Sequence, residues 1–101
     1  MNPINGLRPV HPGEILREDF LIPLGLSVNA LAYALRVPAT RLHAIVKERR
    51  AVTPDTALRL ARYFGGDAQS WLSLQASFDL KLTEQAVGSD ILRDVRPREA
   101  A

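Results

Sequence analysis

Apolar residues recur along the chain at steps of three and four positions, whereas runs of alternating apolar and polar residues are absent. The first spacing is typical of helices with one buried face, and the second is typical of half-buried strands. Prolines, glycines and helix-capping residues divide the chain into five such segments. The pattern therefore predicts an all-α fold of five helices around one core.

The first predicted helix opens at residues 11–14, with the sequence His-Pro-Gly-Glu. Proline suits the first helical position, and an acid is favoured near the positive end of the helix dipole. His11 is interpreted as helping to organise this helix start. Pro23 and Gly25 are predicted to close the helix.

A pair of short helices follows, separated by a tight turn at Arg36 and Val37. Ser27 is predicted to cap the first helix of the pair, because a serine hydroxyl can accept a hydrogen bond from a free N–H of the first turn. The second helix is predicted to begin around Pro38 and to end in the basic residues 47–50.

The last two predicted helices also have recognisable starts. Thr53 is the predicted N-cap of the fourth, and Asp67 that of the fifth and longest, which is predicted from Ala68 to about Ala86 with Gly88 as its end. Trp71 is assigned to the core or to a dimer interface. The predicted organisation is an N-terminal arm (1–10), a helical domain that includes the long fifth helix (11–87) and a short C-terminal extension (88–101).

Length and composition narrow the class of protein further. A chain of 101 residues allows one domain, and 47% hydrophobic residues suffice for its core. The absence of cysteine excludes disulfide bonds and thiolate zinc sites. No stretch resembles a signal peptide or the roughly 20 apolar residues that span a bilayer, so we expect a cytoplasmic protein without a membrane partner.

The charges are unevenly placed along the chain. Residues 36–62 contain seven basic side chains and two acids, a local charge of +5 that leaves −3 for the rest of a chain whose net charge is +2. Such a block is expected of a surface that binds a polyanion, although taken alone it is more often a solvated surface.

Five short helices with a basic middle pair joined by a tight turn predict a helix-turn-helix unit, whose second helix enters the major groove of DNA. Thr40 and Arg41 are predicted to read base edges, whereas Lys47, Arg49 and Arg50 are predicted to contact phosphates. Taken singly, these residues are better explained as an ordinary helical surface, whereas taken together they favour DNA binding. The predicted DNA-binding residues are Ser27, Asn29, Arg36, Ala39, Thr40, Arg41, His43, Ala44, Lys47, Arg49 and Arg50.

The sequence gives little support for metal binding or catalysis. His11 and His43 have no partners at the spacing that metal ligands need, so no metal and no cofactor is expected. Glu14 and Glu18 lie four residues apart and could serve acid–base catalysis, but one complements a helix dipole and the other faces solvent. Phosphate-binding glycine loops and serine-nucleophile elbows are absent. The sequence therefore predicts that the protein is not an enzyme.

As a set, the motifs resemble those of HigA-type antitoxins, which form part of the XRE-like helix-turn-helix group. Any one helix-turn-helix signature is weak, but the His-Pro-Gly-Glu opening combined with Trp-Leu-x-Leu-Gln is specific. The resemblance covers about Arg8 to Leu82. The matching stretches are residues 8–20, 23–27, 29–32, 44–46, 53–61 and 71–75.

The resemblance implies a five-helix, lambda-repressor-like fold that dimerises, binds double-stranded operator DNA, represses its own operon and sequesters a RelE/HigB-like ribonuclease toxin. The alternative is a stand-alone XRE-family repressor without a toxin. One position departs from the common pattern: many helix-turn-helix turns carry glycine where this chain has Arg36. A positive φ at that position costs a non-glycine residue roughly 1 kcal/mol, which a phosphate contact could offset.

Two partner surfaces are also predicted. Leu74, Phe78 and Leu82 extend the apolar stripe of the fifth helix beyond the expected core, so a partner helix in a homodimer is predicted to cover them. An RNA-cleaving toxin is expected to be basic and should favour acidic side chains. The predicted toxin-binding residues are Glu14, Glu18, Asp19, Asp90 and Asp94.

Overall fold

A computed structural model describes residues 8–99, and all regular structure in that range is helical. Residues 1–7 of the predicted arm and 100–101 of the predicted extension lie outside the described residues. The prediction of an all-α fold with five helices is confirmed. The helices are α1 (Pro12–Ile15, a π-helical turn Leu16–Leu21, then Ile22–Leu24), α2 (Val28–Leu35), α3 (Ala39–Val46), α4 (Pro54–Phe64) and α5 (Ala68–Asp94).

Two of the three predicted side-chain caps are confirmed. Ser27 Oγ accepts a hydrogen bond from Ala30 N at 3.0 Å, and Asp67 Oδ1 accepts one from Ser70 N at 2.7 Å. Thr53 occupies the N-cap position of α4, but its side chain makes no cap bond there. Pro54 already supplies a helical φ at the first position, so this helix starts without the hydroxyl.

The π-helical turn in α1 lies immediately before Pro23. A proline in a helix has no N–H to donate and its ring clashes with the carbonyl four residues earlier. Ile22 N instead donates to Arg17 O, five residues back, so the helix is wider at this point. Pro23 therefore lies within the last turn, and Gly25 ends the helix with φ 61°.

The core lies where α1, α2, α3 and α4 meet the first turns of α5. Leu31, Leu42, Ile45 and Leu60 are fully buried in it. Trp71 is 6% exposed, which assigns it to the core rather than to a dimer interface. Partly buried apolar residues, including Phe20 and Phe64, pack against this core.

The buried start of α1 explains the unusual His-Pro-Gly-Glu opening. His11 Nδ1 accepts a hydrogen bond from Gly13 N at 2.8 Å, which confirms that this imidazole organises the helix start. A Cβ on Gly13 would collide with the carbonyl of Ile45, so glycine is needed for the close approach of α1 to α3. Burial lowers the pKa of His11 below its ordinary value, against smaller opposing effects of Glu48 and Asp79.

The two halves of α5 have different environments. In the first half, Gln75 is buried and its Oε1 accepts a hydrogen bond from Val52 N at 2.9 Å, which ties α5 to the segment after α3. The predicted end at Gly88 is wrong, because the helix continues to Asp94. Gly88 does not adopt a positive φ, and glycine inside a helix costs only about 0.5–1 kcal/mol relative to alanine.

The predicted stripe of Leu74, Phe78 and Leu82 is not a single free face. Leu74 packs against the core. The ring of Phe78 meets the His11 imidazole edge to face, with the centroids 4.9 Å apart. Leu82 is 49% exposed. The first two residues already have contacts within the chain and are half-buried, and their assignment to a dimer interface stays a prediction.

None of the helices within residues 8–99 combines the length and the apolar character needed to cross a membrane.

Candidate nucleic-acid interface

A tight turn joins α2 to α3, and its geometry was predicted from the sequence. Arg36 has φ 60°, which confirms the expected positive φ at a non-glycine position. Val37 N donates to Ala32 O at 3.1 Å, and the Val37 side chain is buried in the angle between the helices. The guanidinium of Arg36 donates to Tyr33 O at 2.7 Å and lies 4.6 Å from the centre of the Tyr33 ring. These local contacts offset the backbone strain within the turn itself.

The outer side of α3 forms a shallow groove with polar and basic side chains. The residues that line it are Thr40, His43, Ala44, Lys47 and Arg49. All five belong to the predicted DNA-binding set, so the structure brings these residues together. Ala39, by contrast, is half-buried against the core.

The segment after α3 turns sharply through a second residue with positive φ, Glu48 at 62°. Glu48 N donates to Ile45 O at 2.9 Å, and Arg49 N donates to Ala44 O at 2.8 Å, which together close the end of α3. Sequence reasoning missed this turn, because glycine is the usual signal for such a helix end. Its consequence is that Arg49 and Arg50 are exposed beside the last turn of α3.

Arg41 is predicted to read bases, but it is engaged elsewhere. Its guanidinium donates to Asp55 Oδ1 at 2.8 Å, and the same oxygen accepts from Arg59 Nε at 2.8 Å. Hydrogen bonds from Arg59 and Arg41 hold the pKa of Asp55 below its ordinary value. Arg59 also donates to Leu35 O at the end of α2, at 2.8 Å. Arg41 therefore belongs to a cluster that ties α4 to both helices of the helix-turn-helix unit.

The start of α2 adds two further predicted residues to this surface. The Ser27 hydroxyl accepts from Ala30 N as the helix cap. Asn29 Oδ1 lies 2.9 Å from Nε2 of His43, so the two exposed side chains join α2 to the groove on α3.

No family model matches the chain. The chain is 60% identical to virulence-associated protein I of Dichelobacter nodosus over 81 residues. The matched region covers 80% of this chain and 75% of that protein. The structure of the Pseudomonas aeruginosa antitoxin HigA, solved with the higBA promoter, is 43% identical in sequence and superposes with a TM-score of 0.88. The superposition covers 91% of this chain and 100% of the HigA chain. The chain belongs to the HigA-type antitoxin family. Antitoxin GraA, solved with its operator, is 45% identical with a TM-score of 0.88, covering 95% of this chain and 97% of that one.

Within this HigA-type chain, most of the predicted toxin-binding acids already have arginine partners. Arg8 forms a two-pronged ion pair with Glu14 at 3.0 Å and lowers the pKa of that carboxyl. Glu18 pairs with Arg17 at 2.9 Å. Asp90 and Asp94 share Arg93 at 3.1 and 3.0 Å.

The acids are also divided between two places. Three of them lie on α1, whose start meets α5 at Phe78. Asp90 lies twelve residues beyond Phe78 on the same helix, which is about 18 Å along its axis. The predicted acidic residues therefore lie in two separate clusters, and their assignment to a toxin-binding surface stays a prediction.

Proposed function

We propose that this HigA-type protein binds its own operator sequence-specifically as a homodimer, represses its operon and neutralises a RelE/HigB-like ribonuclease toxin. The observation that carries the DNA-binding part is the groove on α3, where residues with base-reading and phosphate-binding chemistry lie on one exposed surface. The relatives solved with promoter or operator DNA support the same assignment.

Within the groove, the residues divide by chemistry. The Thr40 hydroxyl can donate to or accept from a base edge, and the Ala44 methyl suits contact with a thymine methyl. Lys47, Arg49 and the neighbouring Arg50 have donors only and suit phosphates. Basic side chains at the end of α3 would fix its register on the duplex while the residues near its start read the sequence.

The dimer interface is proposed on the second half of α5. Leu80 is 63% exposed, Val87 37% and Ile91 49%. These residues are spaced by seven and four positions, so they share one face of the helix, whereas Leu82 lies on the opposite side. A second copy that packs its own α5 against this face would cover all three side chains. Leu80, Val87 and Ile91 therefore replace Leu74 and Phe78 in the proposed interface.

The toxin surface is proposed at the end of α1. Ile22 and Leu24 are each 62% exposed there, one turn beyond the acidic residues Glu18 and Asp19. Apolar anchors with a charged rim are the usual composition of a protein interface, and the acids would attract a basic partner. Asp90 and Asp94, in the second half of α5, are left out of this proposed surface.

The test uses the purified chain and the DNA upstream of its own gene. We expect a mobility shift with that duplex, competed weakly by a shuffled duplex of the same composition. When the chain is co-expressed with the product of the adjacent reading frame, we expect the two proteins to co-purify. The chain should also relieve the growth arrest that this toxin causes when it is expressed alone. DNA binding without any such partner would support the stand-alone repressor instead, and failure to distinguish the two duplexes would contradict the DNA-binding proposal.

A further inference from the structure

The contact between Asn29 and His43 lies on the surface proposed to face DNA. Asn29 is exposed in the first turn of α2, and His43 is exposed in the groove on α3. The distance between Asn29 Oδ1 and His43 Nε2 is 2.9 Å. Neither side chain belongs to the hydrophobic core.

The chemistry of the pair indicates which imidazole nitrogen donates a hydrogen bond and which one accepts. The atom of Asn29 that faces the ring is its amide oxygen, which only accepts hydrogen bonds, so the tautomer that forms this contact carries its proton on Nε2 of His43. In a neutral ring the other nitrogen, Nδ1, is then an acceptor and not a donor. Asn29 keeps its NH₂ group available to donate elsewhere.

A side chain that can only accept hydrogen bonds can distinguish between bases in the major groove. Adenine and cytosine present exocyclic amino groups there, whereas guanine O6 and thymine O4 at the corresponding positions accept hydrogen bonds. Among the five residues that line the groove, Lys47 and Arg49 only donate and Thr40 can do either. His43 therefore offers a discrimination that its neighbours in the groove do not.

We propose that His43 reads the amino group of an adenine or a cytosine through Nδ1, and that Asn29 is the positioning residue that fixes the ring for this contact. The NH₂ group of Asn29 donates to a neighbouring phosphate, so one side chain links the DNA backbone to the base-reading ring. This inference rests on the proposed function, because it requires that α3 enters the major groove.

The experiment measures the base preference at every position of the operator for the wild-type chain, Asn29→Ala, His43→Ala and the double variant. We expect the wild type to favour adenine or cytosine at one position of each half-site. Asn29→Ala should lower that preference by about 3- to 10-fold, as expected for the loss of one hydrogen bond. The double variant should lose no more preference than His43→Ala. Gln69→Ala, an exposed amide on α5, serves as the matched control and should keep the full profile.

A modified duplex identifies the atom that is read. If adenine is preferred, replacing it with purine, which has no 6-amino group, should weaken wild-type binding by a similar factor and leave His43→Ala unaffected; a preferred cytosine would be replaced by 2-pyrimidinone. A preference that survives in Asn29→Ala, or that points to guanine or thymine, would overturn this inference. Absence of any base preference in the wild type would instead overturn the proposed function.

Discussion

The two halves of α5 differ in burial although they form one helix. Trp71 and Gln75 in the first half are 6% and 7% exposed, whereas Leu80 and Ile91 in the second half are 63% and 49% exposed. The first half packs against the core of its own chain, and the second half projects beyond it. An apolar stripe on a helix therefore does not by itself distinguish a core contact from an interface with another molecule.

The largest expected effect tests this contrast directly. Trp71→Ala removes a large buried ring, so it should lower the free energy of unfolding by about 3–5 kcal/mol. Leu92→Ala, at a side chain 84% exposed, should change it by less than about 0.5 kcal/mol. Urea unfolding of both variants, with the protein dilute enough to be monomeric, measures the difference. Similar losses would show that the second half of α5 also packs on the core.

Helix starts were predicted well from the sequence because their signals are local. Ser27 and Asp67 cap their helices through a backbone N–H three residues away, a contact that residue type alone indicates. The buried residues were also predictable, since apolar spacing reports which face of a short helix turns inward. The positive φ at Arg36 followed from its position in the turn.

What the sequence did not reveal depends on contacts between distant residues. Arg41 pairs with Asp55, fourteen positions away on another helix, and nothing in the local pattern indicates that it is occupied. The same is true of Phe78 against His11. Gly88 misled for a different reason: glycine marks a helix end only where it adopts a left-handed conformation, which composition cannot show.

The next prediction distinguishes the two versions of the dimer interface. Ile91→Asp should weaken dimerisation by about 10- to 100-fold, because an apolar side chain that is buried in the dimer contributes roughly 1.5–3 kcal/mol. Its effect on monomer stability should be small. Phe78→Asp should instead lower the stability of the monomer, since it removes the contact with His11. Sedimentation equilibrium and urea unfolding separate the two effects, and a stable monomeric Phe78→Asp would restore the original assignment.

A smaller effect is expected from pH, through the buried start of α1. The pKa of His11 is lowered by burial in the folded state, whereas the unfolded chain titrates near the ordinary value of 6.5. Between those two pKa values the unfolded state binds more protons, so stability is fully present above about pH 6.5 and is lost as the pH falls toward the folded value. Glu48 and Asp79 oppose this shift only in part.

The free energy of unfolding should therefore decrease between about pH 7.5 and 5.5. His11→Gln should show a weaker pH dependence, because it removes the titrating ring. Gln69→Ala removes an exposed side chain that does not titrate and serves as the control that keeps the wild-type dependence. An unchanged slope in His11→Gln would show that another group causes the pH dependence.

The smallest expected effect concerns two basic residues of α3 and its C-terminal end. Lys47 lies in the groove, so Lys47→Ala should weaken binding to every duplex and lower the slope of log affinity against log salt by about one. Arg41 is held by Asp55 on α4, so Arg41→Ala should change the slope less and leave the base preference unaltered. Titrations at several salt concentrations, with operator and shuffled duplexes, measure both quantities. A relaxed base preference in Arg41→Ala would mean that DNA draws Arg41 away from Asp55, and that the sequence-based assignment of this residue was right.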